Sequence, residues 1–288
     1  MAHLYKQGNI LYKVGGNVFT IGDKYVYTGA PQTTTSTNAQ RICWDSATNR
    51  IYVPNATNGT VQVINGSTFA TITTITGIPN ATAVSVSNGK MYVLDGNGLL
   101  YNYNANTYVL LNTPINIGGG NGISIDPVAS HNTAIALKYG SGTNGKAFII
   151  NTITDTITGS FQVDTGYCIA HDPILPQYYI VGGSDGRCFT YNSITHTLIS
   201  TTIWNSFLIT SIAFDPITQN NRFLAIQRDG GIYIINNTTL GVIGTIDGIG
   251  ITYNTSYGIA YDPNPANNLF VACNNLLGKL QVVTQSRI

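Results

Sequence analysis

The sequence contains no glutamate: all 12 acidic residues among its 288 are aspartate. Charged residues of both signs make up only 9%, against roughly a quarter in ordinary soluble domains. The formal net charge is +1, with no basic run and no acidic tail, so neither nucleic acid nor an anionic membrane finds an electrostatic footprint here. No apolar run approaches the roughly 18 residues that a membrane-spanning helix needs, so membrane insertion is not expected. The opening stretch MAHLYKQGNILYKVGG has neither the apolar centre nor the small-residue cleavage site of a secretory signal. Helical hydrophobic periodicity is absent throughout. Four cysteines (Cys43, Cys168, Cys188 and Cys273) stand singly, without CxxC spacing, which argues against zinc or redox chemistry and for buried free thiols. Cys168 and Cys188 are expected on one sheet but two strands apart, roughly 9–10 Å from the strand spacing and beyond disulfide reach.

What is abundant is Asn, Thr, Gly and Tyr around short apolar strands. One anchor recurs, a strand ending in Asp and often Asp-Pro: RICWD ending at Asp45, GISIDP with Asp126, CIAHDP with Asp172, SIAFDP with Asp215 and GIAYDP with Asp262. A degenerate copy, AVSVSNG, puts Ser87 in the same place, and the successive intervals are 42, 39, 46, 43 and 47 residues. That is the period of a four-stranded propeller blade. After each anchor come a second strand (RIYVPN, KMYVLD, TAIALKY, YYIVGG, RFLAIQ, LFVACN) and a hairpin, Gly-bearing in the first five units. The third strand (TVQVIN, LLYNYN, AFIIN, CFTYN, GIYIIN, GKLQVV) follows, and a Thr-rich turn then leads to a fourth. Asn-Gly and Asp-Gly pairs at Asn58, Asp95, Asn144, Asp185 and Asp229 are predicted to supply the positive φ of tight hairpins. Blades covered on both faces by neighbours read as near-continuous apolar runs, and a single unit cannot bury its faces alone.

These features predict an all-β chain, residues 1–288 forming a single β-propeller domain. Residues 8–31 read as three more strands, so seven four-stranded blades are expected, residues 1–38 forming a partial first blade, with six blades as the alternative. The last unit stops after its third strand, and an N-terminal strand is expected to complete it, hiding an edge that would invite aggregation.

The phrases NRIYVPN, GTVQVINGSTFATITTI and GKAFIINTITDTITGSF resemble the YVTN-type propeller repeats of surface-layer and lactonase-like proteins over about residues 40–284. The chain departs from that pattern by placing Asn where Asp is usual after the third strand. The resemblance implies a fold and leaves chemistry open.

The Asp residues are assigned to bends: Asp126, Asp172, Asp215 and Asp262 in the first interstrand turn, Asp95, Asp185 and Asp229 in hairpins, Asp155, Asp164 and Asp247 near later turns. No facing pair of carboxyls for glycoside hydrolysis is expected. His171 and Asp172 are strand neighbours and point to opposite faces, and a histidine cluster requires His131 or His196 to arrive from another blade. Gly118–Gly122 lacks the helix and Lys of a phosphate loop. Neither catalytic residue, metal nor cofactor is therefore expected. Candidate ligand- or partner-binding residues are Trp204, Asn205, Phe207, Tyr253 and Tyr257, aromatic and Asn side chains on connectors between blades. The expected function is a non-enzymatic structural or interaction propeller, in its most specific form a virion protein (capsid or tail accessory, with host attachment as a further role), with protein partners on a virion or extracellular surface. Alternatives are a carbohydrate-binding lectin or surface-layer propeller with glycan ligands, and a lactonase- or lyase-type enzyme.

Overall fold

The computed structural model describes residues 3–7, 10–14, 24–27, 32–33, 38–140, 144–173, 178–204, 208–228, 231–246, 256–274 and 279–286, with only the backbone described for residues 3–33, 178, 256, 257, 274, 279, 285 and 286. Six antiparallel blades surround one axis. Their innermost strands are Cys43–Asp45, Ala81–Ser87, Gly122–Ile125, Gly166–His171, Ile209–Phe214 and Ser256–Tyr261. Each touches the next, and the last returns to the first. Second strands (Arg50–Asn55, Lys90–Asp95, Thr133–Lys138, Tyr178–Gly183, Arg222–Gln227, Leu269–Asn274) fall where the apolar repeats place them. Third strands are Thr60–Asn65, Leu99–Asn104, Lys146–Asn151, Arg187–Asn192, Ile232–Asn236 and Lys279–Ser286.

The blade count is six, not seven. His3–Gln7 pairs with Ile10–Val14 as a two-stranded sheet apart from the blades, while Lys24–Tyr27 and Gln32–Thr33 pair with the third strand of the last blade. The sixth repeat lacks a fourth strand of its own, and an open third-strand edge needs a partner. Lys24–Tyr27 and Gln32–Thr33 supply it, so these two strands clasp the sixth blade, and the described strands before residue 38 do not make a blade of their own.

Burial grades outward. The second strand of the fifth blade is buried along its whole length, whereas the fourth strands Thr71–Thr76, Thr156–Gln162, Leu198–Ile203 and Val242–Ile246 are mostly exposed. Six apolar clusters hold the disc together, one per seam between neighbouring blades. The closing seam packs Ala260, Val271, Cys273 and Leu280 of the sixth blade against Ile42, Trp44, Ile51 and Val53 of the first. Because side chains of a strand alternate between faces, each blade feeds two seams, and removing one blade would strip both of its neighbours.

Asparagine builds turns at two places in the repeat. Asn65, Asn104, Asn151, Asn192 and Asn236 end third strands, and each Oδ1 accepts the backbone N–H groups two and three residues on. The side-chain amide oxygen does there what a carboxylate oxygen would do, which accounts for Asn in place of Asp. Asn49, Asn88, Asn132, Asn221 and Asn268 precede second strands with φ between 43° and 53°, a left-handed state that Asn tolerates. At the hairpins, Gly59 and Gly186 have the expected positive φ, but in the second blade the left-handed glycine is Gly98 and Gly145 is not left-handed; Asp229 and Gly230 lie outside the described residues.

Candidate functional site

The anchor strands place chemically distinct rings along the axis. Three residues before each anchor position stand Ile42, Val84, Ile123, Ile169, Ile212 and Ile259, all buried, an aliphatic collar across the bore. Beyond it, towards the ends of the first strands, lies a cavity of about 360 Å³ lined by Trp44, Phe214, Tyr261 and the anchor prolines Pro173, Pro216 and Pro263, with Cys43, Ser85, Ser124 and His171. Burial pushes the Cys43 thiol up to about 12, so it stays protonated and is a poor nucleophile. The innermost edges, which have no further strand to pair with, are satisfied across seams: Ser85 Oγ accepts the Ile125 N–H (3.0 Å), Ser124 Oγ the His171 N–H (3.1 Å) and Ser211 Oγ the Ile259 N–H (3.2 Å).

The anchor aspartates are buried and act inside the fold. Asp45, Asp126, Asp215 and Asp262 each take the amide two residues on through Oδ1. Their second oxygens take a side chain from the same turn: Thr48, His131 (2.8 Å), Asn220 (2.8 Å) and Asn267 (2.6 Å). Asp95 caps the Leu99 amide, Asp185 pairs with Arg187, and Asp164 accepts from Gln162. His171 and Asp172 do diverge. The His171 ring meets Ser124 of the third blade (Nδ1–Oγ 2.9 Å), while Asp172 accepts from Asn237 of the fifth (2.6 Å).

Histidines of two blades do come together around one aspartate. Asp126 stands between two histidines, 2.8 Å from His131 Nδ1 and 4.0 Å from His171 Nε2. Burial lowers His171 to about 4 despite the opposing Asp126 charge, so His171 is neutral near pH 7. Burial lowers His196 as well, and its ring packs on Phe161 with Nδ1 3.3 Å from the Tyr179 hydroxyl. Among the described residues no three His, Cys or Asp side chains converge as metal ligands.

Of the aromatic candidates, Trp204 donates its indole N–H to the Leu240 carbonyl (2.8 Å) and lies on Phe223 (centroids 5.7 Å), filling the seam between the fourth and fifth blades. Asn205, Phe207 and Tyr253 lie outside the described residues. Tyr257, of which the backbone alone is described, occupies a β-bulge at the start of the sixth blade's first strand. Its equivalent in the fourth blade, Tyr167, sits in the same bulge, a device that re-aims a side chain. Tyr167 meets the Arg41 guanidinium at 4.2 Å from the ring centroid. Arg41 leads into the first blade and Tyr167 lies in the fourth, so the contact spans the axis. Neither was singled out from sequence, although GYCIA and SYGIA carry Tyr at the same offset. The glycines at 118–122 allow close approach chiefly to the hairpin of their own blade: a Cβ on Gly120 would lie 2.4 Å from the Asp95 carbonyl oxygen.

No family model matches the chain, and no curated protein matches it. Among solved structures it is similar to the β-propeller domain of Cps50 (Swd1) from Myceliophteria thermophila, at 13% identity and a TM-score of 0.66, covering 91% of this chain and 100% of that one. That likeness concerns the propeller architecture alone. No helix among the described residues is long and apolar enough to cross a membrane.

Proposed function

We propose that this protein is a non-enzymatic interaction scaffold whose rim meets a protein partner, with a virion or extracellular surface assembly as its setting. The observation that carries the reading is the outer edge of two adjacent blades. Leu198, Ile199 and Ile203 on the fourth blade and Val242 and Ile243 on the fifth are 43–69% exposed, beside Ile194 in the preceding turn. Singly scattered exposed aliphatics are ordinary, but runs of them along the outer strands of rigid blades offer a contact surface. Two further features support it. All nine described aspartates are bonded within the fold, and the absence of Glu with 9% charge suits a surface working outside a cytoplasm. Multiple copies on one particle would multiply weak contacts.

The test is a photo-crosslinking residue at Ile199 or Ile243 in native material, with Ser130 on the turn face as control, followed by mass spectrometry of purified particles. A defined protein captured from the rim positions and not from Ser130 supports the reading. An unlabelled rim, or turnover of a lactone or polysaccharide by the purified protein, overturns it.

A further inference from the structure

We infer that Arg41 anchors an oxyanion-binding site at the strand-start end of the bore, taking a small carboxylate side-on through Nε–H and Nη2–H. The site is separate from the rim and does not depend on its role.

Four residues before each anchor position stand Arg41, Ala83, Gly122, Cys168, Ser211 and Gly258. One of the six is long and five are small, so a single side chain enters the bore at this level. Arg41 is 6% exposed; its guanidinium rests on Tyr167 and reaches the Thr82 carbonyl through Nη1 at 3.5 Å, the far limit of a hydrogen bond. Among the described residues Nε and Nη2 have no hydrogen-bond partner. These two groups share one edge of the planar guanidinium, and their parallel N–H bonds form the fork that matches a carboxylate bidentately. A buried guanidinium with an empty fork is among the more costly arrangements a fold can hold. No described carboxylate relieves it: there is no Glu, and the described Asp side chains are engaged elsewhere. The Arg41 charge offsets part of the burial effect on the Cys168 thiol, which places that thiol in the same field without neutralising it. The Tyr167 face holds the guanidinium plane by cation–π stacking, and the bulge that aims Tyr167 at the axis is part of the device. The aliphatic collar stands one residue further along each first strand.

The experiment titrates the intact wild-type protein with acetate, formate and inorganic phosphate at constant ionic strength, with chloride as control, reading the Arg side-chain Nε–H resonances and the thermal midpoint. Arg41→Lys assigns the resonance. Saturable movement of the Arg41 Nε–H signal, with a matching rise in midpoint, supports the site; acetate and formate acting more strongly than phosphate identifies a carboxylate, and the reverse order overturns that identification. Arg41→Lys, which keeps charge but lacks the fork, is expected to weaken binding about tenfold. Tyr167→Leu is expected to weaken it less and to leave the fold intact. A wild-type signal that none of the oxyanions moves overturns the proposal, whether or not the variants fold.

Discussion

Asp155 and Lys90 meet at 2.8 Å across the seam between the third and second blades. Asp155 occupies a left-handed turn position with φ 53°, and the equivalent turn positions Phe69, Tyr108, His196 and Leu240 share that conformation. The first five units therefore each accept a strained non-glycine residue at this place, and what its side chain does explains why. Tyr108 receives a hydrogen bond from Arg50 of the preceding blade at 2.7 Å, and the His196 ring stacks on Phe161 of the preceding blade. The strained residue is a latch between neighbours, and Asp155 is its charged version, also holding the Tyr92 hydroxyl and Asn112.

Asp155→Ala removes the carboxylate from Lys90 and Tyr92 at a mostly buried seam, leaving Lys90 only the Thr152 carbonyl among its described partners. A loss of about 2–4 kcal/mol is expected, while Asp155→Asn, which keeps hydrogen bonds and left-handed tolerance, should cost about half as much. Urea unfolding with an unchanged slope measures both. Equal stability of Asp155→Ala and the wild type would remove the latch from the account.

The Asx turns make a second comparison. Asn192 Oδ1 accepts the Ile194 and Thr195 amides at 2.9 and 2.8 Å. Asn192→Asp should change stability by no more than about 0.5 kcal/mol, because the carboxylate accepts the same two bonds. Asn192→Ala should lose about 1 kcal/mol. Thermal melts of the pair decide whether asparagine here is turn chemistry or an incidental departure from the resembled repeat.

Acid sensitivity should come from histidine. His171 is held near 4 in the folded protein, against an ordinary value of 6.5. As pH falls below 6.5 the unfolded chain binds a proton that the folded protein refuses, so stability is full above that value and falls progressively down to about 4. The loss from this one group is about 3 kcal/mol, and His196 acts in the same direction. Denaturation midpoints followed from about pH 7 to about pH 4 should therefore decline, and His171→Gln should flatten the decline. A parallel slope in that variant would shift the cause to other groups.

Much of this architecture was legible. KMYVLD and RFLAIQ are strands at their predicted limits because a blade interior leaves little choice but continuous apolar sequence. Cys168 and Cys188 flank Gly182 from opposite strands, two strands apart as the repeat implied. The axial features were harder to see. Arg41 meets Tyr167 three blades away, and nothing local in RICWD signals that reach. His131 reads as an isolated residue until it is aligned with Asn220 and Asn267, which fill the same place beside their own Asp. The blade count failed for a related reason. Strand-forming sequence before residue 38 shows that strands exist, but which edge they pair with depends on the open third strand of a repeat more than two hundred residues later.

That pairing yields the sharpest test of the closed ring. Lys24–Tyr27 and Gln32–Thr33 cover the third strand of the sixth blade, whereas His3–Gln7 and Ile10–Val14 pair only with each other. Removing residues 1–14 should leave the six blades, the thermal midpoint and the monomer–oligomer distribution close to those of the full chain. Removing residues 1–37 bares the edge of Lys279–Ser286, and an unpaired edge both destabilises its sheet and recruits other chains. The shorter chain should melt several degrees lower and elute as larger species in size exclusion. If deletion of residues 1–14 did the same damage, the hairpin would be part of the ring, and the six-bladed closure described here would be wrong.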